Sequence, residues 1–241
     1  MTDTINPQPI GSLPQNGNGD ATSPRWYGAY PAIVTDIKDP DGQGRVKIAL
    51  PWAPDPSGAR FEAWARIATL MAGDNRGTWF IPDVDDEVLV VFQGGEPSFP
   101  FVIGAMWNGK DMPPASIDGG GHNSLKLIRT RGGITITIDD SKGFEHFSVE
   151  IPGNRKLVLS NTPESFLVKD DNGNSIHMSN KGVKITAGGT FEIECQSAVI
   201  TAGELTVNAG ASNFAGKIKA DTIEANNFIG QSYVNGAGNI W

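Results

Sequence analysis

The chain of 241 residues carries 27 Asp and Glu against 19 Lys and Arg, a formal net charge of −8, which argues against a nucleic-acid backbone as main partner, because such binders need a Lys/Arg footprint that releases counterions. Its 30 glycines and 16 prolines exclude a largely helical protein, and a lone cysteine, Cys195, excludes an intrachain disulfide. No stretch approaches the ~20 apolar residues of a membrane-spanning helix.

The first 24 residues, rich in Pro, Asn and Gly, have too few apolar groups to offset ordering entropy and are read as a flexible arm. They lack the basic start and apolar run of a secretory signal, so synthesis in the cytoplasm without a signal peptide is expected. Residues 25–110 hold five of the six tryptophans, enough bulky apolar surface for a compact core. Five strand candidates follow there: "YPAIVTDIK", "GRVKIALPW", "AWARIATL", "DEVLVVFQ" and "PFVIGAMW", separated by turn signals such as "DPDGQG" and "GGEPSFP". At most one short helix is expected, near "LMAGDNRG". This pattern predicts an all-β fold beginning with a five-stranded barrel of OB type. Residues 111–123, with "DGGGHNS", read as a linker.

From residue 124 to 241 the strands shorten: "SLKLI", "GITITID", "FSVEI", "KLVLS", "FLVKD", "SIHMS", "GVKITA", "FEIEC", "SAVITA", "ELTVNA", "GKIKAD" and "TIEANNFI". Alternation of period two marks strands with one buried and one wet face. Between residues 183 and 214 apolar positions such as Val183/Ile185, Phe191/Ile193, Val199 and Leu205/Val207 recur every seven or eight residues, a solenoid or fibre signature. Strands with so few apolar side chains cannot build a thick core within one chain. Three copies winding about one axis would let each apolar row meet its neighbours, so the segment is predicted to be an intertwined trimeric β-helix, a β-prism needle. Cys195, in "FEIEC", reads as a small strand residue.

The barrel region also resembles a known family. Its residues "DPDGQGRVKIALPW" and "AWARIATLMAGDNRGTWFIPDVDDEVLVVFQGGEPSFPFVIGAMWNG" are similar to the OB domain shared by contractile-phage baseplate spikes and type VI secretion spikes. The motif positions are Asp39, Pro40, Gly44, Arg45, Val46, Trp64, Arg66, Gly73, Arg76, Gly77, Trp79, Pro82, Asp86, Glu87 and Gly104, all taken as structural. The resemblance implies a homotrimeric central spike of a contractile injection apparatus, with the β-helix as a membrane-puncturing needle. It further implies a separate hub protein at the OB end, because only the short polar arm precedes the barrel. The scattered His122, His146 and His177 do not form the His-x-His tip of some phage spikes, so a separate PAAR-repeat tip protein is expected at the other end, with the target cell envelope met on firing. Tyr233, Ile240 and Trp241 are the candidate docking residues for that tip, since aromatic anchors dominate interfaces. The particle would be released as an extracellular, phage-tail-like assembly. Where the family usually has Glu and Gly, this chain has Asp83 and Asp85.

No catalytic residue, metal site or cofactor is expected, and the chain is read as no enzyme. The acidic run Asp83, Asp85, Asp86, Glu87 has no His or Cys beside it. "DPDGQG" and "DDNGNS" imitate calcium loops, but position twelve is Leu50 in one and Lys181 in the other instead of Glu, so both read as turns. His177 lacks a second ligand type nearby, although three copies could converge at a threefold axis. Two other classes stay open: an OB-fold module that binds carbohydrate or nucleic acid, and a β-helical polysaccharide-degrading enzyme.

Overall fold

The computed structural model describes residues 25–54, 58–227 and 229–230. Five strands close a barrel: β1 (Ala29–Asp36), β2 (Val46–Pro54), β3 (Arg60–Ile67), β6 (Glu87–Phe92) and β7 (Pro100–Ala105), in the order β1-β2-β3-β7-β6. Each falls on one of the five predicted segments. Neighbours run antiparallel except β3 and β7, whose parallel contact shuts the barrel. Alternation sends every second side chain inward, as β6 shows, where Val88, Val90 and Phe92 are buried. Their register stacks the core in pairs: Ala32 faces Val88, Val34 faces Ile48, Val46 faces Ala65 and Val90 faces Val102.

One end of this core is covered by aromatics. Tyr30 stacks on Trp52 with centroids 4.9 Å apart, while Trp26 lies 5.4 Å from both Trp52 and Phe61 and 5.1 Å from Phe92. The Trp52 indole donates to the Pro31 carbonyl, leaving its one polar atom satisfied. The segment entering the barrel is pinned beside this cluster, with Trp26 N–H donating to Gly95 O and the Arg25 guanidinium to Gly94 O.

The helix expected near "LMAGDNRG" does not form. Residues there make a tight hairpin of β4 (Ala72–Gly73) and β5 (Arg76–Gly77), because Asn75 takes a positive φ of 51° and two glycines oppose helix. The one helical element among the described residues is a 3-10 turn at Gln93–Gly95.

After an irregular stretch to residue 124, seven strands form an antiparallel meander in chain order: β8 (Leu125–Arg129), β9 (Thr135–Asp139), β10 (His146–Ile151), β11 (Arg155–Asn161), β12 (Glu164–Lys169), β13 (Ser175–Ser179) and β14 (Gly182–Thr186). These coincide with the first seven short strands read from the sequence. The next five, from "FEIEC" to "TIEANNFI", are not strands in this chain: the described residues from Thr190 onward are exposed, belong to a second unit, and form no backbone–backbone hydrogen bond. A strand needs a ladder partner, and none of the described residues supplies one there. The predicted intertwined β-helix, which draws on three copies, is not formed by the described residues of one copy.

Candidate functional site

Five of the motif residues, Asp39, Gly44, Arg45, Trp64 and Trp79, meet at the β1–β2 loop. Asp39 places its carboxylate, only 5% exposed, beneath the β1–β2 connection, where it accepts from the backbone N–H of Asp41 (3.1 Å), Gln43 (2.7 Å) and Arg45 (3.1 Å). The Arg45 guanidinium adds two donors, Nε at 3.0 Å and Nη2 at 2.6 Å, and also reaches Asp41. This ion pair and the three amides hold the Asp39 carboxyl far below the usual carboxylate range. Arg45 in turn lies 5.7 Å from the Trp64 ring centroid, so the motif's aspartate, arginine and tryptophan form one stack. Val46, next in the motif, is buried in the barrel core.

Gly44 and Trp79 meet although 35 positions separate them: a Cβ on residue 44, whose φ is +72°, would lie 3.0 Å from the indole. Trp79 nevertheless stays 75% exposed. Gly73 and Arg76 meet inside the hairpin, and a Cβ on Gly77 would sit 2.6 Å from Met71 O, so this turn admits no side chain there. Arg66 covers the Phe101 ring. Pro82 is half-buried and exposed Pro40 opens the loop. Nothing packs within 4 Å of where a Cβ of Gly104 would be.

The acidic run is absorbed by structure. Asp86 accepts from the Asp83 amide at 2.8 Å, Glu87 accepts from the Asn108 side chain at 2.8 Å, and Asp83 forms an ion pair with Arg131 of the β8–β9 turn at 3.2 Å. Asp85 has φ of 77°, the left-handed region, which accounts for a glycine at this place in the resembling family. Among the described residues no group of three His, Cys, Asp or Glu side chains could hold a metal. The "DDNGNS" segment is a turn: Asp170 accepts from the amides of Asn172 and Asn174 and from the Asn174 side chain. In the linker, Asp118 accepts from Gly120, His122 and Asn123, and His122 chiefly pulls its carboxyl down to about 2. Tyr233, Ile240 and Trp241 lie outside the described residues.

The meander supplies the largest surface. Its register places Ile136, Phe147, Val149, Leu157, Phe166, Val168, Ile176, Met178, Val183 and Ile185 on one face. The other face carries Thr137, Ser148, Lys156, Lys169, His177 and Lys184, with Val158 and Leu167 among them. His177 is thus on the polar face, opposite Leu167 and Lys184. Among the described residues of the sheet only Ser148, on the polar face, is buried, so the apolar face has no core beneath it. Sequence reasoning found the alternation but missed the Asp83–Arg131 pair and the Gly44–Trp79 contact, because neither partner's spacing announces the other.

Residues 30–107 match the family described as the type VI secretion system/phage-baseplate injector OB domain. The type VI secretion system spike protein VgrG1b of Pseudomonas aeruginosa is 29% identical over 128 residues, 50% of this chain and 17% of the relative. VgrG4b of the same species is 31% identical over 135 residues, 52% of this chain and 17% of its own length. The actin cross-linking toxin VgrG1 of Vibrio cholerae is 26% identical over 199 residues, 78% of this chain and again 17% of the relative. The chain thus spans only about a fifth or less of these relatives. The matched span of this all-β chain holds the closed barrel and the Asp39–Arg45–Trp64 stack, so the likeness to the injector OB domains of type VI secretion and phage-baseplate spikes is a likeness of the barrel.

Proposed function

We propose that the protein is the structural central spike of a phage-like contractile injection apparatus, three copies joined along one axis. The uncovered apolar face of the meander carries this reading. Thirteen apolar side chains of six adjacent strands share it, Ile138, Ile151 and Leu159 joining the ten named above, and burying each is worth roughly 1.5–3 kcal/mol. Exposed contiguous apolar surface of this extent marks an interface. The described residues from Thr190 onward point the same way, since Phe191, Ile193, Leu205 and Val207 are exposed and their backbone groups have no partner among the described residues. Winding with other copies would satisfy both.

In this reading the barrel (residues 25–110) binds beneath a separate hub, residues 111–123 join it to a needle (residues 124–241), and a PAAR-repeat tip docks on Tyr233, Ile240 and Trp241. Sheath contraction drives the needle through the target envelope, so the role is mechanical and not enzymatic. Light scattering coupled to size exclusion tests it, followed by negative-stain imaging of the same peak. A mass near three times 25.6 kDa with a thin projection supports the spike. A compact monomer would turn the reading toward a carbohydrate-binding module or a β-helical polysaccharide-degrading enzyme.

A further inference from the structure

Charge is segregated along the chain. Residues 124–189 carry nine Lys and Arg against seven Asp and Glu, a net of +2, whereas the remainder carries ten against twenty, a net of −10. Within that basic segment the register gathers Lys156, Lys169, His177 and Lys184 on the polar face of β11 to β14. Four adjacent strands span about 14 Å, so these groups form one patch. Lys156 and Lys169 stand directly opposite each other, an arrangement that destabilises a sheet through like-charge repulsion. Glu150, opposite Lys156 on its other side, is the carboxylate that shares their row. Among the described residues none of the three lysines forms an ion pair, whereas Lys47, Lys126, Arg45, Arg131 and Arg155 all do.

We propose that this polar face is a contact surface for the phosphate headgroups of an anionic bilayer, held by Lys156, Lys169 and Lys184. Glu150 faces Lys156 alone, so headgroup phosphates would supply the counter-charge that Lys169 and Lys184 lack across the sheet, and the acyl layer need not be entered. A nucleic acid calls for a longer basic footprint than three lysines on a chain of net charge −8, whereas headgroup phosphates are met a few at a time. The choice of a bilayer rests on the spike reading; the patch itself does not.

Co-sedimentation of the full chain with phosphatidylglycerol-containing vesicles and with pure phosphatidylcholine vesicles tests the proposal. The wild type binds the anionic vesicles only, and binding weakens with salt. The combined Lys156→Gln, Lys169→Gln and Lys184→Gln variant loses binding on the order of a hundredfold, about fivefold per lysine at a charged surface. A control with Lys38→Gln, Lys110→Gln and Lys217→Gln, equal in charge, keeps it. Equal loss in both variants, binding to neutral vesicles, or displacement by duplex DNA at equal phosphate overturns the proposal. Each variant's thermal midpoint checks folding, and removal of the opposed lysines should not lower it. The assembly's mass, measured in parallel, separates failure of the patch from failure of the spike reading.

Discussion

Asp85 and Asp39 are two acids of one barrel under opposite constraints. Asp85 holds a left-handed backbone that an L side chain tolerates poorly, and its side chain is exposed. Asp85→Gly should therefore stabilise the barrel by about 1 kcal/mol, read as a higher urea midpoint in tryptophan fluorescence. Asp39 is the reverse: its charge organises the loop. Because the folded barrel holds this carboxyl far below its unfolded value of about 4, its contribution is fully present above that value and is lost as pH falls through the acid range. Asp39→Asn should lower the unfolding midpoint at neutral pH and flatten its acid dependence; an unchanged acid limb would mean that another carboxylate dominates it. The motif that contains Asp39 was readable in sequence, but its reason was not. Five donors converging on one carboxylate, and Trp79 lying on Gly44, are contacts made only after the strands have closed.

At the scale of elements, alternation located all five barrel strands and all seven meander strands, since each has a wet face and an apolar face within one chain. It also marked the segment from residue 190 to 230, where the described residues follow the same pattern yet form no strand, since none of them has a ladder partner among the described residues. The hairpin at Ala72–Gly77 was misread as helical, its Asn75 turn being the deciding feature. The exit from the sheet has its own lock. Gly188 donates to the Asn174 side chain at 2.9 Å, and a Cβ there would lie 2.1 Å from Asn172 O. Gly188→Ala should push the chain off the Asp170–Asn174 turn at a cost of about 2 kcal/mol, seen as lost hydrogen-exchange protection in Gly182–Thr186 with barrel amides unchanged.

For the whole molecule, the barrel has a buried core and the meander has none, so they should respond differently to isolation and to substitution. Residues 25–110 expressed alone should fold as a monomer with a cooperative transition, and a molten or aggregated product would contradict that boundary. If the spike reading holds, Phe166→Glu, in the middle of the apolar face, should reduce the full chain's mass from trimer to monomer while leaving the barrel's tryptophan transition in place. A mass that stays trimeric would show that this face is not the seam.

The lock at Gly188 also divides the molecule in time. Every strand before it pairs with a sequence neighbour or closes a small barrel, so those contacts can form at a rate independent of protein concentration. In the spike reading, backbone beyond it finds partners only in other copies and must wait for encounters. Refolding should then show a fast phase indifferent to dilution, followed by a slow one that lengthens with it. Between the two the chain would be an assembly intermediate, its apolar face open to the first neighbour that arrives.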